Sequence, residues 1–278
     1  MRSERELVNA ANRSYIGSYR TLVQHCPDGA VLDADGVFAF ATGLPLALFN
    51  GCVVVASAPT AQLDAAIDWV AARGVPHRVW IAESLVPDLG HVPVARGLRL
   101  EDRPYPGMVL HPIPDPPAPA AGVIVESVAP AGLERYLQVS IDAGMPPDPA
   151  HQLFSPSFAA DPDVRLFIGS LDGRPVGTAV AIRSGDVSGV YAVGTVPAAR
   201  RRGVGSALTW AAVGAGGAWG CATIVLQASE MGLPIYEAMG FRTVVSYAVF
   251  GQRPIRQPSA EKFKVLKRSQ RRTASNSP

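Results

Sequence analysis

The stretch from Val187 to Trp219 constrains the fold more than any other part of the chain. Val187 to Val196 is rich in valine and carries Tyr191, a composition that predicts a strand. From Ala207 to Trp219, residues Leu208, Ala211, Ala212, Ala215 and Trp219 share one side of a predicted helix. Between the two lies a tight turn with Arg200, Arg201, Arg202, Gly203 and Gly205. The first backbone N–H groups of a helix have no partner inside it, and they point out of its positive end. An anion such as a pyrophosphate fits there when no Cβ blocks its approach. Gly203 and Gly205 remove that Cβ, and Arg201 and Arg202 add positive charge.

Two common phosphate loops fail on named residues. A P-loop ends in Gly-Lys-Ser/Thr, and this stretch has no lysine. A dinucleotide fingerprint would need a third glycine where Leu208 stands. What remains is R-x-x-G-x-G from Arg200 to Gly205, three residues after Pro197. It resembles the coenzyme A pyrophosphate loop of the GNAT acyltransferase superfamily; the bland alternative is a basic turn between a strand and a helix. A second stretch supports the resemblance. After the predicted strand Thr223 to Gln227, the family typically shows Asn-x-x-Ala-x-x-x-Tyr and then Gly-Phe. Here Ser229 stands for the Asn and Gly232 for the Ala, while Tyr236 and Gly240-Phe241 match. The resemblance covers roughly Val123 to Phe250.

The resemblance implies a fold, an activity and a site. The fold is α/β (α+β), two tandem GNAT-like domains, each a mixed, mainly antiparallel sheet flanked by helices. The activity is transfer of an acetyl group to an amine by direct attack, with acetyl-CoA as co-substrate and no metal. The family holds the pantetheine arm on strand backbone at positions matching Val193, Gly194 and Thr195. It seats the pyrophosphate on a loop matching Arg200, Arg201, Arg202, Gly203, Val204, Gly205 and Ser206, with Ser229 at a further cofactor-side position. A backbone N–H near Val193 is the expected oxyanion donor. Tyr236 matches the usual catalytic acid, and a phenol with a pKa near 10 is protonated at neutral pH. No base stands out: Glu230 and Glu126 are the nearest acidic candidates, and a relayed water is a third. The rival reading is a non-catalytic acyl-CoA-binding or interaction protein.

The rest of the chain sets boundaries. Its 278 residues suggest two domains, and with 48% hydrophobic and 17% charged residues they can bury sizeable cores. Glu4 to Val23 reads as an amphipathic helix, Gly36 to Ala56 as strands, and Ala61 to Arg73 as a helix capped by Thr60. A strand from His77, Ala82-Glu83-Ser84, and Gly97-Leu98 follow in the order of the second half. Ser84 then corresponds to Ser229, and Gly97-Leu98 to Gly240-Phe241. The loop position holds only Ser57-Ala58-Pro59-Thr60, and His91 falls where the tyrosine would be. We therefore expect a degenerate, cofactor-free domain at 1–111, a Pro-rich linker at 112–121, a catalytic domain at 122–252 and a basic tail at 253–278. Five prolines between His111 and Ala121 predict an extended spacer.

Partners and location follow from composition. A net charge of +2 is too near neutral for a polyanionic partner, which argues against nucleic acid despite the basic tail. The uncharged run Gly36 to Leu63 is broken by Gly43-Leu44-Pro45 and Asn50-Gly51, so no membrane span is expected. Cys26, Cys52 and Cys221 are far apart and form neither disulfide nor zinc spacing, and no signal core follows Met1, which suggests the cytoplasm. The expected acceptor is a small-molecule or peptide amine, in a pocket built from Asp142 to Phe158 and the loop after Phe241, with the first domain's face as a further candidate. Two fused copies could stand in for a dimer, so a monomer or a homodimer is expected.

Overall fold

The computed structural model describes residues 2–252. The tail assigned to 253–278 lies outside them. In the first half, α1 (Glu4–Gln24) precedes β1 (Ala30–Ala34), β2 (Val37–Ala41) and β3 (Asn50–Val54). Then come α2 (Thr60–Ala71), β4 (Arg78–Ala82), α3 (Val86–Leu89), α4 (His91–Ala95), β5 (Arg99–Leu100) and β6 (Tyr105–Leu110). The second half runs β7 (Val123–Val128), α5 (Leu133–Asp142), α6 (Pro147–Leu153), α7 (Pro156–Ala160), β8 (Val164–Leu171), β9 (Arg174–Ser184) and β10 (Val187–Thr195). It closes with α8 (Val204–Ala218), β11 (Thr223–Gln227), α9 (Leu233–Ala238) and β12 (Arg242–Gly251).

Local chemistry sets the ends of α1. Ser3 Oγ accepts from the Glu6 N–H at 3.4 Å, and Glu6 Oε2 accepts from the Ser3 N–H at 2.6 Å, a reciprocal capping box. Leu7, Ala11, Tyr15, Ser18 and Leu22 then fall on its buried side at helical spacing. The second helix departs from expectation. Thr60 is its first helical residue, Pro59 takes the cap position, and no side-chain oxygen caps it.

The strands form one mixed sheet in the order β1-β2-β3-β4-β12-β6-β11-β10-β9-β8-β7, with β5 beside β12. Most pairs are antiparallel. Two are parallel, β3 with β4 and β10 with β11, and each is bridged by a helix, α2 or α8. The halves thus repeat a strand–helix–strand unit, as the order of sequence signals suggested. Their last strands, however, are exchanged. β6 pairs with β11 and β12, while β12 pairs with β4 and β6. The ladders therefore cross the division that the Pro-rich segment makes in the chain. That segment does not stand free. Ile113 packs against the α8 core, and residues 116–120 run beside Ser206 and Trp210.

Each sheet face has its own cover. Ala179, Ala181 and Val190 face α8 through Leu208 and Ala212. Val180, Ile182 and Tyr191 alternate onto the other face, where α1, α5, α6 and α7 pack. Alternation along a strand requires this division. Although α1 comes from the first half, it lies across β9, β10, β11 and β12. Arg2 and Arg13 tie it to Asp186 in the β9–β10 turn, and the Tyr247 hydroxyl donates to Asn12 Oδ1 at 2.6 Å. Among the described residues no helix is long and apolar enough to cross a membrane.

Candidate functional site

The predicted strand, turn and helix are present. β10 ends at Thr195, a short 3₁₀ turn spans Pro197–Ala199, and α8 starts at Val204. Arg201 at φ 61° and Gly203 at φ 80° both take left-handed backbone and curl the chain around Arg202. For arginine that conformation costs on the order of 1 kcal/mol, and it is a conformation that clusters at ligand sites. Gly203 is the N-cap and supplies no side chain, so the first N–H groups of α8, through Ser206, have no side-chain acceptor. The three arginines divide. Arg200 Nε donates to the Thr195 carbonyl at 3.1 Å and fastens the loop to its strand. Arg202 lies 3.8 Å from Asp172, with both side chains exposed, a pair worth little. Among the described residues Arg201 has no carboxylate within ion-pair distance. The two glycines differ as well. A Cβ at Gly203 would sit 2.8 Å from Ala120 Cβ, whereas one at Gly205 would meet only Thr195 Oγ1, at 3.9 Å.

Beside this loop the sheet opens. β10 and β11 pair only from Val187 to Gly189, against Thr223 to Val225. Beyond Gly189 that edge of β10 has no strand partner, and Val193, Gly194 and Thr195 lie along it. The ladder with β9 is also interrupted, stopping at Tyr191 opposite Val180 and resuming at Gly194 opposite Thr178. Ala192, at φ 49°, sits in this bulge. A bulge leaves its extra residue unpaired and increases the local twist. Backbone N–H and C=O groups at such an edge need an acceptor or donor from elsewhere. The first half shows the contrast. There β3 and β4 pair from Gly51 to Val54 against Arg78 to Ile81, through to the last residue of β3.

The remaining predicted residues fall in unequal places. Tyr236 is half-buried on α9, with its ring centroid 5.9 Å from that of Phe241. Burial pushes its phenol above the ordinary value, while the Thr209 hydroxyl on α8 pulls it back. Thr209 in turn donates to the Gly205 carbonyl at 2.9 Å, so Tyr236 and the loop are linked through α8. Ser229 does not point away from its own backbone. Its Oγ accepts from the Gly232 N–H at 3.2 Å and closes the turn into α9. Glu230 is paired with Arg103 at 2.6 Å and Glu126 with Arg135 at 2.5 Å, all four side chains half or more exposed. Cys221 is buried with its thiol pushed up by desolvation, as a core cysteine should be.

Residues 145–158 of the expected acceptor region line a cavity whose α1 wall was not picked out from the sequence. This cavity, of about 200 Å³, lies on the face away from α8. Ala192 on β10 and Gln227 on β11, one from each bank of the opening, contribute to its wall. Both halves build the rest. Tyr15, Ser18, Tyr19 and Leu22 come from α1 and Tyr105 from β6, while Met145, Leu153 and Phe158 come from the second half. The signal was the aromatic stripe at helical spacing on α1, which equally suits an ordinary core face.

Comparison with known proteins agrees with this geometry. Residues 134–241 match the model of the acetyltransferase (GNAT) family. Among solved structures, the chain is similar to a GCN5-related N-acetyltransferase from Kribbella flavida, with 21% identity, 88% of this chain and 96% of that one covered, and a TM-score of 0.63. It is also similar to a GCN5-related N-acetyltransferase from Sphaerobacter thermophilus, with 18% identity, 87% and 92% covered, and a TM-score of 0.58. A tandem GNAT protein from the clavulanic acid biosynthesis pathway shares the fold at 13% identity, with 88% and 94% covered and a TM-score of 0.57. A search of curated proteins gave no match. The mixed, mainly antiparallel sheet with its flanking helices is the fold of these acetyltransferases, and residues 134–241 are similar to the GNAT acetyltransferase family.

Proposed function

We propose that the protein is an acetyl-CoA-dependent N-acetyltransferase whose amine acceptor attacks the thioester directly. One observation carries this. The opening between β10 and β11 has an uncapped helix N-terminus with an unpaired arginine on one side and a cavity on the other. The residues fit the co-substrate. The N–H groups at Gly203, Val204, Gly205 and Ser206, with Arg201, suit a pyrophosphate, and the open edge at Val193, Gly194 and Thr195 suits the amides of a pantetheine arm. Arg200 and Ser229 act here as supports of the loop and of the α9 turn. When bound, acetyl-CoA supplies a thioester carbon open to attack.

The chain's part is to position and to move protons. The β10 edge orients the thioester beside the acceptor, which lowers the entropic barrier. The Val193 N–H, within the bulge, donates to the oxygen that gains charge as nitrogen adds to carbon. The carbon–sulfur bond then breaks, and Tyr236 donates its proton to the thiolate. With Glu230 and Glu126 each paired to an arginine, water takes the proton leaving the amine, and the phenol is restored from solvent. The first half is a second copy whose closed β3–β4 pair leaves no slot for a cofactor, and the repeated strand–helix–strand unit supports that view.

Calorimetric titration of the full chain with acetyl-CoA should give one site. Tyr236→Phe should lower turnover severalfold and leave acetyl-CoA affinity nearly unchanged; an unaltered rate would remove its role as acid. Two sites would mean that the first half also works. Tight binding with no thiol release across a broad amine panel would favour a non-catalytic acyl-CoA-binding protein.

A further inference from the structure

The cavity on the far side of the opening carries more information than its position. Among the described residues no Asp, Glu, Lys, Arg or His lines it. Its walls are aromatic and aliphatic, with Phe49, Phe154 and Phe158 beside the tyrosines. Two polar atoms in this wall are buried without a hydrogen-bond partner, Tyr15 Oη and Gln227 Nε2. Tyr15 is 2% exposed, on a helix that lies across the sheet. Buried polar groups are nearly always satisfied, and an unpaired one has a cost that a ligand can relieve. Both residues line this one cavity.

Size and polarity narrow the ligand. A dry apolar cavity of roughly 150 Å³ already accepts a benzene ring. This one, at about 200 Å³, takes a ring with a short polar substituent. A polycationic amine would have to shed its water against walls with no carboxylate to replace it, which is strongly unfavourable. Gln227 Nε2 needs an acceptor, and Tyr15 Oη takes either a donor or an acceptor.

We propose that this inter-half cavity is the acceptor pocket, and that the acceptor is a primary amine bearing one ring-sized apolar group with a neutral oxygen substituent held by Tyr15 and Gln227. The inference rests on the acetyl-transfer reading for its chemistry, in which the amine nitrogen gains the acetyl carbon, loses one proton, and leaves a free thiol. It also makes α1 and β6 of the first half part of the second half's active site.

Tyramine, 2-phenylethylamine, spermidine and an aminoglycoside, each with acetyl-CoA, form the test by thiol release. The arylalkylamines should exceed spermidine in kcat/KM by tenfold or more, with tyramine first. Tyr15→Phe should raise KM for tyramine three- to tenfold while kcat and the melting temperature hold, because the lost hydroxyl bonds nothing in the free protein. Gln227→Leu should do the same. A preference for spermidine or the aminoglycoside would overturn the assignment. So would a flat amine panel combined with a preference for benzoyl-CoA over acetyl-CoA, since the cavity would then hold the acyl group. If acetyl-CoA itself fails to bind, the transfer reading falls. Direct titration of tyramine into the protein then decides the pocket: binding weakened by Tyr15→Phe keeps it, and no binding removes it.

Discussion

The exchanged strands predict that the second half cannot be isolated. A fragment beginning at residue 121 retains the GNAT-family segment yet lacks β6 and α1. In the whole chain Met108 and Val109 are 0% exposed and Leu110 is 2% exposed, all on β6. Burying each of three such side chains contributes about 1.5–3 kcal/mol, or roughly 5–9 kcal/mol together. A domain's whole net stability is typically about 5–15 kcal/mol. Removing β6 also unpairs one edge of β11, and losing α1 uncovers Val225, which packs with Leu7, Ala11 and Val109. The fragment should therefore show no cooperative thermal transition by near-UV circular dichroism. Co-expressed with residues 1–120, it should copurify as a complex that unfolds cooperatively. Met108→Ala in the full chain should cost about 2–5 kcal/mol by urea unfolding. The reasoning is refuted if the fragment alone melts cooperatively and binds acetyl-CoA as tightly as the whole protein.

Two further outcomes follow from the site and its surroundings. Gly205→Val should abolish acetyl-CoA binding while preserving the melting temperature, because the open space at Gly205 is there for a ligand; Gly203→Val should lower both, since φ 80° and Ala120 oppose any side chain. Asp161 is held below the usual carboxylate range although burial opposes this, because His25, the Asp163 N–H and Gln24 bond to it. Its contribution is present above the unfolded pKa of about 4 and is lost as pH falls through the lower folded value. Asp161→Asn should cost about 1–3 kcal/mol at pH 7 and less at pH 3, and an equal cost at both would contradict the pairing.

The sequence disclosed the local parts well. Val-rich Val187–Thr195 and the buried run Thr223–Gln227 are each written in neighbouring residues, and each appeared within a residue or so of expectation. Thr60 misled because Pro59, with its fixed φ, already provides the turn into α2. The Pro-rich segment has the composition of a spacer, but Ile113 anchors it to a core and Ala120 meets Gly203, contacts that composition does not encode. Strand exchange was invisible for a different reason. An antiparallel edge accepts any strand with the right alternation, so nothing in Tyr105–Leu110 says whether its neighbour will be β4 or β11. The bulge at Ala192 carries no glycine to announce it. Tyr15 and Tyr19 obey helical spacing whether they fill a core or line a pocket.

The pairing of β4 with β12 bears on synthesis. Ribosomes release the chain from its N-terminus, and domains generally fold as they emerge. Here Val79, Trp80 and Ile81 leave the ribosome early, yet the strand that covers their edge, from Tyr247 to Gly251, is among the last described residues to appear. For most of translation the nascent first half exposes an unpaired apolar strand edge of the kind that templates aggregation. The first domain to be made is thus the last to be finished. A ribosome stalled before β12 should hold a chain that binds holdase chaperones strongly, and release of the final strand should end that binding at once.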